Sequence, residues 1–169
     1  GTFPDNNQFY QTWWRQAISE QAQLRQRVAF ALSQIFVVSL QDENIDAWGA
    51  ASYYDMLLRD AFVNFRVLLE DVTMHPMMGR YLTYLANQKE DNTRQPDENY
   101  AREVMQLMTI GLHELNPDGT PRLNNGQRIP TYTSADISGL AKVFTGMSWY
   151  SANPSSGTFY AGVPADNTA

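Results

Sequence analysis

The chain has 169 residues, which is long enough for one domain with a buried core. Its net charge of -6 argues against nucleic acid and an anionic membrane surface as partners, because both require a basic face. The absence of cysteine excludes disulfides and cysteine-bound metals, and no apolar run approaches the length of a membrane span.

Apolar residues recur at helical spacing through the first half of the chain and predict five helices. The first is short and amphipathic, and the others cover about 20–39, 45–62, 65–75 and 76–86. In the first helix, the neighbours Trp13 and Trp14 cannot both face the same side. We therefore expect one to pack and the other to lie at an edge, where a sugar or, as we favour, another segment of the protein covers it.

His75 is expected at the C-terminal end of the fourth helix, because Pro76 disfavours helix at the residue before it. The helix dipole would favour a positive imidazole at that end, and Asp71 lies one turn earlier, where it could hold the ring. These two side chains could also contribute to a metal site, but two ligands do not make a site. We therefore interpret the pair as structural and predict no metal.

The region from Pro96 to Gly111 predicts a further helix that buries polar groups beside an apolar stripe. Asp97 is placed to cap its first turn. Glu98 and Arg102 are four residues apart, as are Asn99 and Glu103, so these four side chains flank the stripe together. We favour mutual pairing in a structural polar cluster, with Arg102 on Glu98 and with Asn99 and Glu103 bonded to a nearby loop.

Turn signals at 117–119 and 124–126 predict a small hairpin or turn-rich excursion near 112–132. Thr133 then begins a last helix, with Asp136 as its capping-box partner, and Gly146 ends it. The expected fold is mainly α, an irregular bundle of about seven helices over residues 1–150. Residues 151–169 are rich in Pro, Gly, Ser and Asn and predict an extended tail.

Three ordered motifs resemble those of one bacterial family, the domain of unknown function 1800. They are LRQRVAFALSQIFVVS, PDENYAREVMQLMTIGLHEL and YTSADISGLAKVFTGMSW, and together they extend over most of the chain. The sequence departs from the family pattern at Asp97, Met108 and Met147, which puts a histidine-dependent role in doubt. The resemblance implies a piece of a longer protein, exported to the periplasm or cell exterior, from a family with no settled activity.

Two functional hypotheses from different classes remain open at this point. The first, which we favour, is a non-catalytic structural or interaction module whose partners are other segments of the parent chain. The second is a secreted hydrolase that cleaves polysaccharide through a carboxylate pair, with aromatic side chains stacking on the sugar. The sequence does not decide whether the protein is an enzyme.

The candidate site residues converge if the last two predicted helices pack together. As catalytic carboxylates of the hydrolase hypothesis they are Glu98, Glu103 and Asp136, and as binding residues Asn99, Arg102, Tyr132 and Trp149. The sequence contains no nucleophile motif and no phosphate-binding glycine loop, and it predicts no cofactor. Carbohydrate is the one ligand class that these residue types suggest.

Overall fold

A computed structural model of the chain describes residues 5–150, 155 and 159. These residues are mainly α-helical, with one small β-hairpin, as predicted. The predicted tail at 151–169 lies outside the described residues except at Ser155 and Phe159, so it stays a prediction. The chain divides into two compact units, Gly1–Tyr81 and Leu82–Ala169.

The first unit contains five helices, which we number in chain order. They are α1 (Asn6–Ser19), α2 (Gln23–Ser33), α3 (Ala47–Arg59), α4 (Phe65–Met74) and α5 (Pro76–Tyr81). Side-chain caps begin three of them, since Asp5, Asp46 and Asn64 accept hydrogen bonds from backbone N–H groups of the first turns. The caps therefore fix where α1, α3 and α4 start.

Helix α3 is the centre of the first unit and packs against α1, α2 and α5. Its buried face repeats every three or four residues: Ala47, Ala50, Tyr53, Met56 and Leu57. Tyr53 is fully buried, and its hydroxyl donates a hydrogen bond of 2.9 Å to the carbonyl of Phe36. Arg25 of α2 donates to the carbonyls of Leu58 and Arg59, which satisfies the C-terminal end of α3.

Two predicted helix ends of the first unit are wrong. One is that of α5, which ends at Tyr81 instead of Ala86 because Thr83 has a positive φ angle. Helix α2 ends at Ser33 instead of Ser39, because the following Ile35, Val37 and Val38 are β-branched and the chain turns to bury Phe36. Asp60, which follows α3, is buried, and Arg59 donates to both of its carboxylate oxygens at 2.8 Å. An adjacent guanidinium thus compensates for its burial.

Over residues 82–150, the second unit contains two helical regions and the hairpin. Helix α6 (Asn99–Glu103) continues into a π-helical turn (Val104–Met108), and α7 (Ser134–Val143) follows the hairpin of β1 (Leu123–Asn124) and β2 (Gln127–Arg128). Leu123 pairs with Arg128 across the hairpin, and Asn125 and Gly126 form its turn. Helices α6 and α7 pack on each other and bury Ala101, Ile137 and Ala141.

Candidate functional site

Glu98 joins α6 to α7 through both of its carboxylate oxygens. Oε1 accepts a hydrogen bond of 2.5 Å from the hydroxyl of Ser138 on α7, and Oε2 accepts one of 2.6 Å from Nη2 of Arg102. The bond from Ser138, followed by the guanidinium of Arg102, lowers the pKa of the Glu98 carboxyl. Glu98 is therefore ionised at neutral pH and held by two donors, and its pairing with Arg102 was predicted.

Asn99 and Asp97 lie in a network that ties the loop before α6 to the residues after α5. The Asp97 carboxylate accepts hydrogen bonds from the Asn99 N–H at 2.8 Å and from the Thr83 hydroxyl at 3.0 Å. Asn87 is 8% exposed, and its side-chain amide makes two hydrogen bonds to the backbone of Asp97. The amide oxygen accepts from the Asp97 N–H at 2.9 Å, and the NH₂ group donates to the Asp97 carbonyl at 3.2 Å. This network orders the entry to α6.

Asp136 is the capping-box partner of Thr133 in the first turn of α7, as the sequence predicted. Its Oδ2 accepts hydrogen bonds of 2.8 Å from both the N–H and the hydroxyl of Thr133, and the Thr133 hydroxyl accepts from the Asp136 N–H. These bonds, that from the backbone first, lower the pKa of the Asp136 carboxyl. The side chain thus begins a helix, and among the described residues no bond connects it to Glu98.

The remaining predicted site residues have unlike surroundings. Glu103 is half-buried on α6 and makes no hydrogen bond or ion pair with any residue that the structure describes, so the predicted bond to a nearby loop is not observed. Tyr132 packs against the apolar cluster of α6 and α7. Trp149 is half-buried beyond the end of α7. The structure therefore brings Glu98, Arg102 and Ser138 together but joins neither Glu103 nor Asp136 to them.

His75 differs from its predicted state. Its Nδ1 accepts a hydrogen bond of 3.2 Å from the Met77 N–H, so the proton of the neutral ring lies on Nε2, 3.3 Å from the Ser52 hydroxyl. A ring in this tautomer donates to Ser52 and cannot act as its base. Burial, followed by the charge of Arg59, lowers the pKa of His75, and Asp71 binds Arg59 at 2.6 Å instead of the imidazole.

An aromatic groove between α1 and α3, lying within the first unit, was not predicted as a site. It has a volume of about 490 Å³, and its aromatic walls are formed by Phe9, Trp13, Trp48 and Tyr54. The pairs of neighbouring aromatics at 13–14 and 53–54 were the sequence signal that could have found it. As expected, Trp13 is half-buried while Trp14 is exposed.

The part of each unit that the structure describes has neither the features of a metal centre nor those of a membrane span. Within the described residues, no group of three or more His, Asp or Glu side chains is arranged to hold a metal ion. None of the helices described has the length and apolar content needed to cross a bilayer. The candidate functional groups are therefore the hydrogen-bonded carboxylates of the second unit and the aromatic side chains of the groove in the first.

These features define a mainly α-helical protein whose chemistry-bearing side chains lie at the α6–α7 contact and in the aromatic groove. A family model described as "Protein of unknown function (DUF1800)" matches residues 4–166. The chain therefore belongs to this family, which is uncharacterised. No curated protein and no solved structure matches the chain.

Proposed function

We propose that this chain is a non-catalytic helical module with a structural or interaction role. The observation that carries the proposal is the double engagement of Glu98 by Ser138 and Arg102. A carboxylate held by two donors from the packed helices α6 and α7 acts as a connection between them. Removing the Glu98 carboxylate leaves the Ser138 hydroxyl and the Arg102 guanidinium without their acceptor. A structural role therefore predicts that the variant loses stability.

The chemistry of glycoside cleavage supports the same proposal. A two-carboxylate mechanism needs one carboxyl that keeps its proton near neutral pH, and this requires a raised pKa. The pKa values of Glu98 and Asp136 are instead lowered by the hydrogen bonds that hold α6 and α7. Glu98 and Asp136 therefore do not fit the role of proton donor, and the oxygens that a nucleophile or base would use already accept hydrogen bonds from Arg102, Ser138 and Thr133.

Comparing Glu98→Gln with Glu103→Gln tests the proposal. Glutamine keeps the shape of the side chain but removes the charge that pairs with Arg102, and its NH₂ group meets Ser138 favourably only if that hydroxyl turns to accept. We expect Glu98→Gln to lower the thermal unfolding midpoint by a few degrees and Glu103→Gln to leave it within about one degree. We also expect no new reducing ends when purified wild-type protein is incubated with polysaccharides.

The pH dependence of stability gives a second readout of the same contact. The folded-state pKa of Glu98 lies below the ordinary value of 4.5, so its stabilisation is fully present above that pH and is lost as the pH falls through the lower value. Glu98→Gln should therefore flatten the acid limb of the stability curve. Polysaccharide cleavage by the wild type that Glu103→Gln abolishes, with Glu98→Gln as stable as the wild type, would establish the hydrolase instead.

A further inference from the structure

The groove between α1 and α3 combines aromatic surface with unused hydrogen-bonding groups. Thr12, Gln16 and Asp55 line it, and their side chains make no hydrogen bond or ion pair with any described residue. Trp48, on the α3 wall, is 64% exposed. A volume of about 490 Å³ lies within the range of small-ligand sites.

The ring geometry favours a stacking surface over a cage for a cation. The Tyr54 ring contacts Phe9 and Trp13 edge to face, with centroids 5.4 and 6.1 Å apart and interplanar angles of 65° and 71°. Rings at these separations touch one another and leave no space between them for a quaternary ammonium group. They form the aromatic side of the groove, and the exposed Trp48 offers a flat face for a ligand.

The charge and polarity of the lining select the class of ligand. Among the described residues that line the groove, Asp55 is the one with a charge, so an anionic ligand would meet a negative charge that no described cation offsets. A purely apolar helix would leave Thr12, Gln16 and Asp55 buried without partners, which costs binding free energy. A neutral sugar has an apolar C–H face for the aromatic wall and hydroxyls for these three side chains.

We propose that the groove of α1 and α3 binds a neutral oligosaccharide, with Trp48 and the Trp13–Tyr54 wall against the sugar faces and with Thr12, Gln16 and Asp55 bonding its hydroxyls. The proposal rests on the interaction role proposed above and names its partner class. It concerns residues far in sequence from Glu98, so the two are tested separately. Sugar binding with unchanged stability of Glu98→Gln would sustain the interaction role and this inference, and it would remove only the structural role assigned to Glu98.

The experiment is a screen of the full chain on an array of neutral and acidic glycans, followed by titration of the tryptophan fluorescence with the neutral hits. We expect binding to neutral glycans and at least a tenfold loss of affinity in Trp48→Ala, which corresponds to about 1.4 kcal/mol. Trp14→Ala is the matched control, because Trp14 is also exposed but does not line the groove. Its affinity should equal that of the wild type.

Three outcomes would overturn the inference. They are no binding to any neutral glycan, equal losses in Trp48→Ala and Trp14→Ala, and stronger binding to acidic than to neutral glycans. Asp55→Asn separates a sugar from a cation, since asparagine keeps the hydrogen bonds to hydroxyls but removes the charge. Sugar affinity should change less than about fivefold in this variant, whereas tetramethylammonium, used as the cationic probe, should bind neither form.

Discussion

The first unit is built around apolar side chains on α3, whereas the second combines stacked, buried aromatic rings with hydrogen-bonded turns. Tyr53 and Leu57 are fully buried at the centre of the first unit. In the second unit the buried cluster of α6 and α7 contains two alanines and one isoleucine, while the Asn87 amide and the Asp97 carboxylate hold the approach to α6. Both units therefore bury apolar surface, since Tyr84 and Tyr100 are buried against each other in the second, and the polar network of Asn87 and Asp97 adds specific bonds there.

Backbone conformation separates the two units further. Among the described residues, Thr83, Ala86 and Asn125 have positive φ angles without being glycine, and all three belong to the second unit. Such conformations cost of order 1 kcal/mol each and persist where surrounding bonds hold them. The Ala86 N–H donates to the Met147 carbonyl at 2.8 Å, and Gly146 donates to the Asn87 carbonyl at 2.9 Å. The second unit therefore offsets strain with hydrogen bonds.

Leu57→Ala should produce the largest effect of the variants that test this comparison. Removing a fully buried leucine side chain from the centre of the first unit should cost about 2–5 kcal/mol of unfolding free energy. Leu24→Ala is the matched control, because Leu24 is 69% exposed on α2. Amide hydrogen exchange should rise across α3 in Leu57→Ala and stay near that of the wild type in the control. Equal exchange in the two variants would contradict an apolar core centred on α3.

Asn87→Ala should give an intermediate effect and show that polar bonds hold the second unit. The variant leaves the Asp97 N–H and carbonyl without their partner, which should cost about 1–3 kcal/mol. Asn92→Ala removes the same side chain from an exposed position of the following loop and should be neutral. Urea denaturation measures both. A cost below about 0.5 kcal/mol for Asn87→Ala would mean that the network does not support the unit.

The fold was predictable where a local rule decides the structure. Asn64 and Thr133 cap α4 and α7 as expected from residues that accept backbone N–H bonds, and the turn at Asn125 and Gly126 closes the predicted hairpin. The ends of α2 and α5 were not predictable, because the residues beyond them are apolar and suit helix by periodicity alone. The end of α2 is set by the burial of Phe36, whose carbonyl accepts a hydrogen bond from Tyr53, 17 residues further along the chain.

The candidate site was predictable in its pairs and less so in its surroundings. Glu98 with Arg102 follows from spacing on one helix, and Thr133 with Asp136 from a capping rule. The hydrogen bond from Ser138 to Glu98 joins residues 40 positions apart, and no local sequence pattern predicts it. The aromatic groove likewise requires α1 and α3 to be placed side by side. The catalytic and binding roles assigned to the site residues stay predictions.

Gly139→Ala should give the smallest effect, and one of opposite sign. Gly139 lies in α7 with open space where a Cβ would be added, and alanine is the better helix former, so the variant should gain about 0.5–1 kcal/mol. Gly49 on α3 is the matched contrast, because its added Cβ would lie 2.1 Å from the sulfur of the buried Met77.

Gly49→Ala should therefore lower the thermal unfolding midpoint, whereas Gly139→Ala should raise it, since both introduce the same methyl group into a helix. A gain in both variants would show that Met77 moves aside without cost and that the core of the first unit is looser than its burial indicates. A loss in both would place a neighbour against α7 at Gly139, where the described residues leave open space. The opposite signs expected here follow from packing alone, because helix propensity favours alanine equally at the two positions.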